Sequence, residues 1–176
     1  MIIVIKNDRI HAIYAETIDI KPSEDESFLI VPDKINLVSL FQKAGFDPGI
    51  IGGGLGLPNP LTLPNFFSAE ELTAIRKKTA QKQRVIREEV GITWEGNRFK
   101  IDTKTCQSLA IAISSIINGT LTPPLSWRDA NGDFISLNLE QLRELARTIM
   151  RATEANFQQE KLESNGSSMY GQHGSD

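Results

Sequence analysis

The chain has 176 residues and carries 19 lysines and arginines against 22 aspartates and glutamates, a formal net charge of -3. This small acidic excess gives no field that would draw the protein to nucleic acid or to an acidic membrane surface, so neither is an expected partner. No apolar run reaches the roughly 18 residues of a transmembrane helix and the N-terminus does not read as a signal peptide, so we expect synthesis in the cytoplasm.

The N-terminal part is predicted to form a small unit of two or three strands and one helix. Its β-branched segment from Ile2 to Tyr14 reverses at Asn7-Asp8, a polar pair typical of a two-residue hairpin turn. That turn would place Val4 opposite His11. A third strand is expected over residues 28–31, followed by a short helix.

Residues 47–67 alternate glycines and prolines with large apolar side chains. The glycines and prolines disfavour regular structure, whereas a flexible linker would be rich in serine and charge. We therefore predict that this connector faces a partner or another subunit, and the competing interpretation is that it folds back over the N-terminal unit. The candidate partner contacts, with two positions on the next helix, are Ile50, Ile51, Leu55, Leu57, Leu61, Leu63, Phe66, Phe67, Leu72 and Ile75.

A helix is predicted to begin after Ser68 and to end near Glu89. Ser68 and Glu71 match a capping box, which stabilises a helix start by about 1 kcal/mol. The apolar stripe of this helix is thin, so the helix either packs on its own chain or forms a seam with a partner. Lysines and arginines cluster towards its end, where they match the helix dipole and are expected to be solvated.

Two tryptophan hairpins give the clearest signal in the chain. A Gly96-Asn97 turn would pair Trp94 with Phe99 on one face of the first hairpin. In the second hairpin, a three-residue loop would pair Trp127 with Ile135.

Each of these hairpins precedes an amphipathic helix. Asp102 is expected to cap the first helix, and Asn138 with Gln141 the second. Apolar positions recur at helical spacing, so both apolar faces are expected to be core. These faces comprise Cys106, Leu109, Ala110, Ile113, Ile116 and Ile117 on the first helix and Leu142, Leu145, Ala146, Ile149, Met150 and Phe157 on the second.

Together these elements predict an α+β protein. Its expected parts are a ββ(β)α unit at residues 1–46, the apolar connector at 47–67, a helical and hairpin module at 68–164, and a flexible tail at 165–176. The structural core of the module is predicted at Trp94, Phe99, Leu109, Ile113, Trp127, Ile135, Leu142 and Ile149.

Two loose motifs in the module match a known family. The residues that carry them are Gly91, Ile92, Phe99 and Asp102, then Trp127, Gly132, Phe134 and Leu137. From residue 90 to about residue 163 the chain resembles the small C-terminal domain of unknown function found in short bacteriophage tail proteins that are encoded near tail-fibre genes. The resemblance implies a tail or tail-fibre context, and that family has no known catalytic residues to carry over.

No cofactor, metal or catalytic site is predicted. A His/Cys zinc site needs about four ligands, and the chain offers only His11, His173 and Cys106. Cys106 falls on an apolar helix face, where we expect it to act as a small hydrophobe. The glycine-rich stretch at 49–56 lacks the Lys-Ser/Thr pair of a phosphate loop, so no nucleotide is expected.

The expected function is therefore non-enzymatic. The resemblance implies a small adaptor or structural protein of the tail fibre or baseplate, located in the virion tail and assembled in the host cytoplasm. Its partners would be other phage tail proteins, namely fibre or baseplate subunits, and self-association stays an open alternative. A tail-fibre assembly chaperone, absent from the mature virion, is the competing expectation.

Overall fold

A computed structural model describes residues 1–14, 23, 25–46 and 56–166 of the chain. Within them, short antiparallel strand pairs alternate with helices, which confirms the predicted α+β class. The strands are β1 (Ile2–Lys6), β2 (Arg9–Tyr14), β3 (Ser27–Ile30), β4 (Ile92–Trp94), β5 (Asn97–Phe99), β6 (Leu125–Arg128) and β7 (Phe134–Leu137). The helices are α1 (Leu37–Lys43), α2 (Ala69–Val90), α3 (Thr103–Ile117) and α4 (Leu139–Ser164).

The chain divides into two compact units. The first contains Met1–Lys82 and the segment that begins at Lys161, and the second contains Gln83–Glu160. The predicted boundaries after residues 46 and 67 both fall inside the first unit, because the described part of the connector packs into the core of that unit.

The first unit is built on an antiparallel sheet with strand order β2-β1-β3. Asn7 and Asp8, both with positive φ, form the turn between β1 and β2, and their short polar side chains tolerate that conformation. The predicted pairing of Val4 with His11 is wrong, because a bulge in the pair places Val4 opposite Ala12.

Helix α2 contributes its first half to the core of the first unit. The side chains of Ser68 and Glu71 each accept a hydrogen bond from the other residue's backbone N–H, at 3.2 and 2.8 Å, so the capping box is present as predicted. Further along, the Thr79 hydroxyl accepts a 2.8 Å hydrogen bond from the backbone N–H of Ile30 in β3. Ile75 and Thr79 are fully buried, so this half of α2 packs on its own chain.

Replacing Thr79 with valine is expected to destabilise the first unit by about 1 to 3 kcal/mol, because the buried Ile30 N–H loses its acceptor at nearly constant side-chain volume. Thr79→Ser is the matched control, since it keeps the hydroxyl. Hydrogen exchange at the Ile30 amide should accelerate in the valine variant and not in the serine variant. Equal exchange in both would show that the hydroxyl contributes nothing.

Residues 56–67 cover the N-terminal sheet. The Ile10 N–H donates to the Leu57 carbonyl at 2.7 Å, and the Leu57, Phe66 and Phe67 side chains are only 3%, 6% and 6% exposed. The expected partner-facing strip therefore does not hold for these three residues, because they already fill the core of their own chain. A partner could reach them only if the unit opened.

The other candidate contacts fall into three groups. Ile75 is buried, and Leu61, Leu63 and Leu72 pack partly buried against the same core. Ile50, Ile51 and Leu55 lie outside the described residues.

In the second unit, the first hairpin has a register that differs from the predicted one. Trp94 pairs with Asn97 rather than with Phe99, and the turn residues are Glu95 and Gly96, both with positive φ. The Asn97 side-chain amide donates to the Glu95 carbonyl at 3.0 Å and holds this turn. Because the error is two residues, Trp94 and Phe99 still share a face, with ring centroids 6.1 Å apart.

Gly91 joins α2 to this hairpin at a point where the backbone passes very close to itself. Its φ is +71°, and a Cβ built there would lie 1.9 Å from the Phe99 carbonyl oxygen.

Gly91→Ala is therefore expected to destabilise the second unit by about 1 to 3 kcal/mol through backbone strain, since the backbone must shift to make room for the Cβ. Gly119→Ala is the control, because its φ is +73° but no atom lies within 4 Å. Chemical denaturation should show the larger loss at Gly91, and equal losses would contradict the close approach.

The second hairpin has the predicted register, with Trp127 opposite Ile135. The Asp129 carboxylate organises its loop by accepting backbone hydrogen bonds from Asn131 and Asp133 at 2.9 and 2.8 Å. This loop is consequently ordered by internal bonds that a glycine-turn pattern alone does not reveal.

Both long helices that follow the hairpins begin at their predicted caps. The Asp102 carboxylate accepts from the Thr105 N–H at 2.7 Å, and Asn138 and Gln141 exchange two hydrogen bonds at 2.9 and 3.0 Å. The core of the second unit contains Trp94, Phe99, Leu109, Leu142 and Ile149 as buried side chains, with Ile113, Trp127 and Ile135 packed partly buried against them.

The predicted apolar faces of α3 and α4 are wider than this core. Ala110, Ile117, Met150 and Phe157 were expected to be buried, and all four are exposed. In the described part of the second unit, the two small hairpins and the end of α2 cover only part of a stripe of this width. Part of each face is therefore left open.

Candidate protein-binding surface

An open apolar groove of about 540 Å³ lies between α3 and α4. The groove follows from the spacing of apolar residues on the two helices. Residues three and four apart share a helix face, and on both helices this apolar face is wider than the part that the core covers. Apart from Ser114, every side chain of the lining is apolar or a thiol. The lining residues are Cys106, Leu109, Ala110, Ile113, Ser114 and Ile117 from α3 and Ala146, Ile149 and Met150 from α4.

The rim of this groove carries large apolar side chains that face solvent. Ile117 is 60% exposed and Met150 is 68% exposed. Single exposed apolar residues are common on protein surfaces, but a contiguous group beside an apolar groove is typical of an interaction site. The arrangement can bind another apolar surface, and it presents no reacting group other than the Cys106 thiol.

A stripe of mixed character runs along α4 past the groove. It consists of Arg143, Arg147, Met150, Glu154 and Phe157, spaced alternately by four and three residues. This is the spacing at which side chains of one helix face a partner helix. Arg143 and Arg147 each place a guanidinium nitrogen 3.7 and 3.9 Å from the Glu140 carboxylate, and the Glu154 carboxylate accepts a 2.7 Å hydrogen bond from the Gln158 side-chain amide. We refer to these five residues as the α4 stripe.

Phe157 at the end of the α4 stripe is covered on one side by Arg84 of α2. The Arg84 guanidinium carbon lies 5.3 Å from the ring centroid, a cation-π distance, and its Nε lies 2.8 Å from a Glu160 oxygen. Arg84 was expected to be one of a group of solvated basic residues. It is instead used for contacts within the second unit, so sequence reasoning missed its role.

A second, polar pocket of about 630 Å³ is lined by the two hairpins and the start of α3. Lys104, Arg128 and the carboxylates of Asp102 and Asp129 contribute to its lining. Burial acts to raise the pKa of Asp102, but hydrogen bonds from Thr105 and the positive charges of Lys100 and Lys104 together hold that pKa below its ordinary value. Asp129 is 8% exposed and bonds its own loop, so both carboxylates serve the fold.

The structure does not bring together the histidines and the cysteine that the sequence analysis considered as possible metal ligands. The His11 ring lies 3.7 Å from a Glu26 oxygen on the first unit, Cys106 lines the apolar groove, and His173 lies outside the described residues. Among the residues that the structure describes, no group of three His, Cys, Asp or Glu side chains could hold a metal ion. No helix in that part of the chain is long and apolar enough to cross a membrane.

The module that contains the groove matches a known family model. A domain of unknown function, DUF4376, matches residues 68–162, which is more than half of the chain. The match begins at the Ser68 cap and includes α2, which the sequence interpretation had placed outside the resemblance. No curated protein and no solved structure matches the chain.

Proposed function

Because the chain belongs to the DUF4376 family of domains of unknown function, we propose a role from its own surfaces. We propose that it is a non-enzymatic bacteriophage tail component, an adaptor or structural protein of the fibre or baseplate that acts through protein-protein contacts. The tail context rests on the motif resemblance described above. The contact mode rests on one observation, the open apolar groove between α3 and α4.

The groove supports binding because its burial would be favourable and would cost little reorganisation. Apolar surface removed from water contributes about 25 cal/mol per Å². Both helices are capped and anchored by their buried sides, so the exposed faces are already held in place. Preorganised surfaces lose little conformational entropy when a partner docks, which raises affinity.

A tail-fibre assembly chaperone is the second candidate. Met150 on the groove rim favours it, because methionine side chains are flexible and suit surfaces that bind more than one shape. Such a chaperone would bind unfinished fibre subunits through the same groove and leave before the virion is complete.

Mass spectrometry of purified particles from a phage that encodes this chain separates the two roles. A structural component is expected in the particle at fixed stoichiometry. A chaperone is expected to be absent from the particle and to co-purify with fibre subunits from infected cells. Absence from both preparations would contradict the proposed function.

Single substitutions test whether incorporation into particles, or co-purification with fibre subunits, depends on the groove. Met150→Lys should reduce incorporation or co-purification by about tenfold or more, because it places a charge on the apolar rim. Phe134→Lys is the matched control, since Phe134 is 72% exposed on β7 and does not line the groove. Equal loss in both variants would assign the contact to another surface.

A further inference from the structure

The second unit presents a surface that complements itself. We propose that the groove between α3 and α4 is closed by the same groove of a second copy, with the two α4 helices crossing antiparallel at Met150. This inference rests on the proposed function in one respect, since both assign binding to the groove between α3 and α4. It adds that the molecule bound there is a second copy of this chain. A two-fold pair of this kind is the commonest arrangement of soluble homo-oligomers.

Charge complementarity along the α4 stripe supports a second copy. Arg147 lies three residues before Met150, and Glu154 lies four residues after it. An antiparallel crossing centred near Met150 therefore places Arg147 of each copy opposite Glu154 of the other. A parallel arrangement would instead place like charges opposite each other, which is unfavourable.

The ends of the stripe give a second matching pair. Arg143 lies seven residues before Met150, and Phe157 lies seven residues after it. The same crossing brings the guanidinium of one copy near the ring of the other, where a cation-π contact can form. Phe157 is 50% exposed although Arg84 covers part of it, so ring surface remains for this contact.

Helix α3 contributes a face without charge. Its exposed groove-side positions include Ala110, Ser114 and Ile117, and Lys104 at its first turn is the only charged residue of the helix. Small residues allow a facing helix to approach closely, and the absence of charge removes repulsion across the two-fold axis. Met150 is unbranched and flexible, so it can enter the groove of the partner copy and fill an irregular gap.

The oligomeric state of the full-length chain tests the inference. Sedimentation equilibrium at about 1 to 100 µM should show a monomer-dimer equilibrium, the range in which an interface of modest size associates. Met150→Lys should raise the dimer dissociation constant at least about tenfold. Phe134→Lys should leave it unchanged, because Phe134 is exposed away from the groove.

A charge exchange tests the antiparallel geometry itself. Arg147→Glu and Glu154→Arg should each weaken the dimer, because each places like charges opposite each other, and the double variant should restore it. Glu144→Arg is the control, since Glu144 lies about 120° around the helix from Met150. Circular dichroism of every variant verifies that the fold is kept.

Three results would overturn the inference. They are a monomer throughout the concentration range, a dimer insensitive to Met150→Lys, or a double charge variant that is not restored. A monomer whose binding to tail proteins still depends on Met150 would assign the groove to a different protein and leave the proposed function intact. A dimer that is absent from particles and from fibre subunits would uphold the inference and contradict the proposed function.

Discussion

Replacing Phe99 with alanine is expected to lower the free energy of unfolding of the second unit by about 3 to 5 kcal/mol. Phe99 is 1% exposed and is among the largest fully buried side chains of the chain. It packs in the core with Trp94 and Leu109, so its removal leaves a cavity that two small hairpins cannot close.

Tryptophan fluorescence in a chemical denaturant measures this effect selectively, because Trp94 and Trp127 both lie in the second unit. Phe134→Ala is the control, since that ring is 72% exposed and its loss should cost less than about 1 kcal/mol. Trp127→Ala should fall between the two variants, because its ring is only partly buried. A Phe99→Ala loss as small as that of Phe134→Ala would place Phe99 at the surface.

Replacing Phe66 with alanine is expected to destabilise the first unit by about 3 to 5 kcal/mol. Its ring is 6% exposed and lies 4.6 Å from the Phe41 ring and 4.9 Å from the Phe67 ring, measured between centroids. The loss combines buried area with two aromatic contacts, each of which adds about 0.5 to 1.5 kcal/mol in favourable geometry.

Calorimetry of the full chain, together with hydrogen exchange at the Ile10 amide, measures this loss. That amide donates to the Leu57 carbonyl and so reports on attachment of the 56–67 segment to the sheet. Val38→Ala is the control, because Val38 is 43% exposed on α1 of the same unit. Unchanged melting of Phe66→Ala, combined with lost incorporation into particles, would return the segment to the partner-facing interpretation.

Local signals in the sequence were sufficient for the starts of the three longer helices. Ser68, Asp102 and Asn138 cap three helices as predicted, because a cap is decided by a side chain and a backbone amide only two or three residues apart. The register of the second hairpin was also predictable, since its loop length and its apolar pairs agree.

The register of the other two hairpins was not predictable, for a different reason in each. In the first tryptophan hairpin, Glu95-Gly96 and Gly96-Asn97 are both acceptable two-residue turns. The Asn97 side chain decides between them by bonding the Glu95 carbonyl. In the N-terminal hairpin, the bulge opposite Val4 is an extra residue that alternation of side chains cannot reveal.

The extent of burial was the feature that the sequence could not supply. An apolar stripe predicts which side chains avoid water, but the number of other elements available to cover it decides which of them succeed. For Phe66 and Leu57 the N-terminal sheet provides that cover. For Met150 and Ile117 no described part of the chain does, and the candidate surface is the result.

Cys106 gives the groove a chemical reporter that the native sequence already contains. It is the single cysteine of the chain, it lines the groove, and its side chain is partly exposed. A thiol reagent therefore labels one known position, and any molecule that fills the groove should slow the labelling. The rate of modification in a cell extract, compared with that of the purified chain, would measure how much of the protein has its groove occupied without any engineered probe.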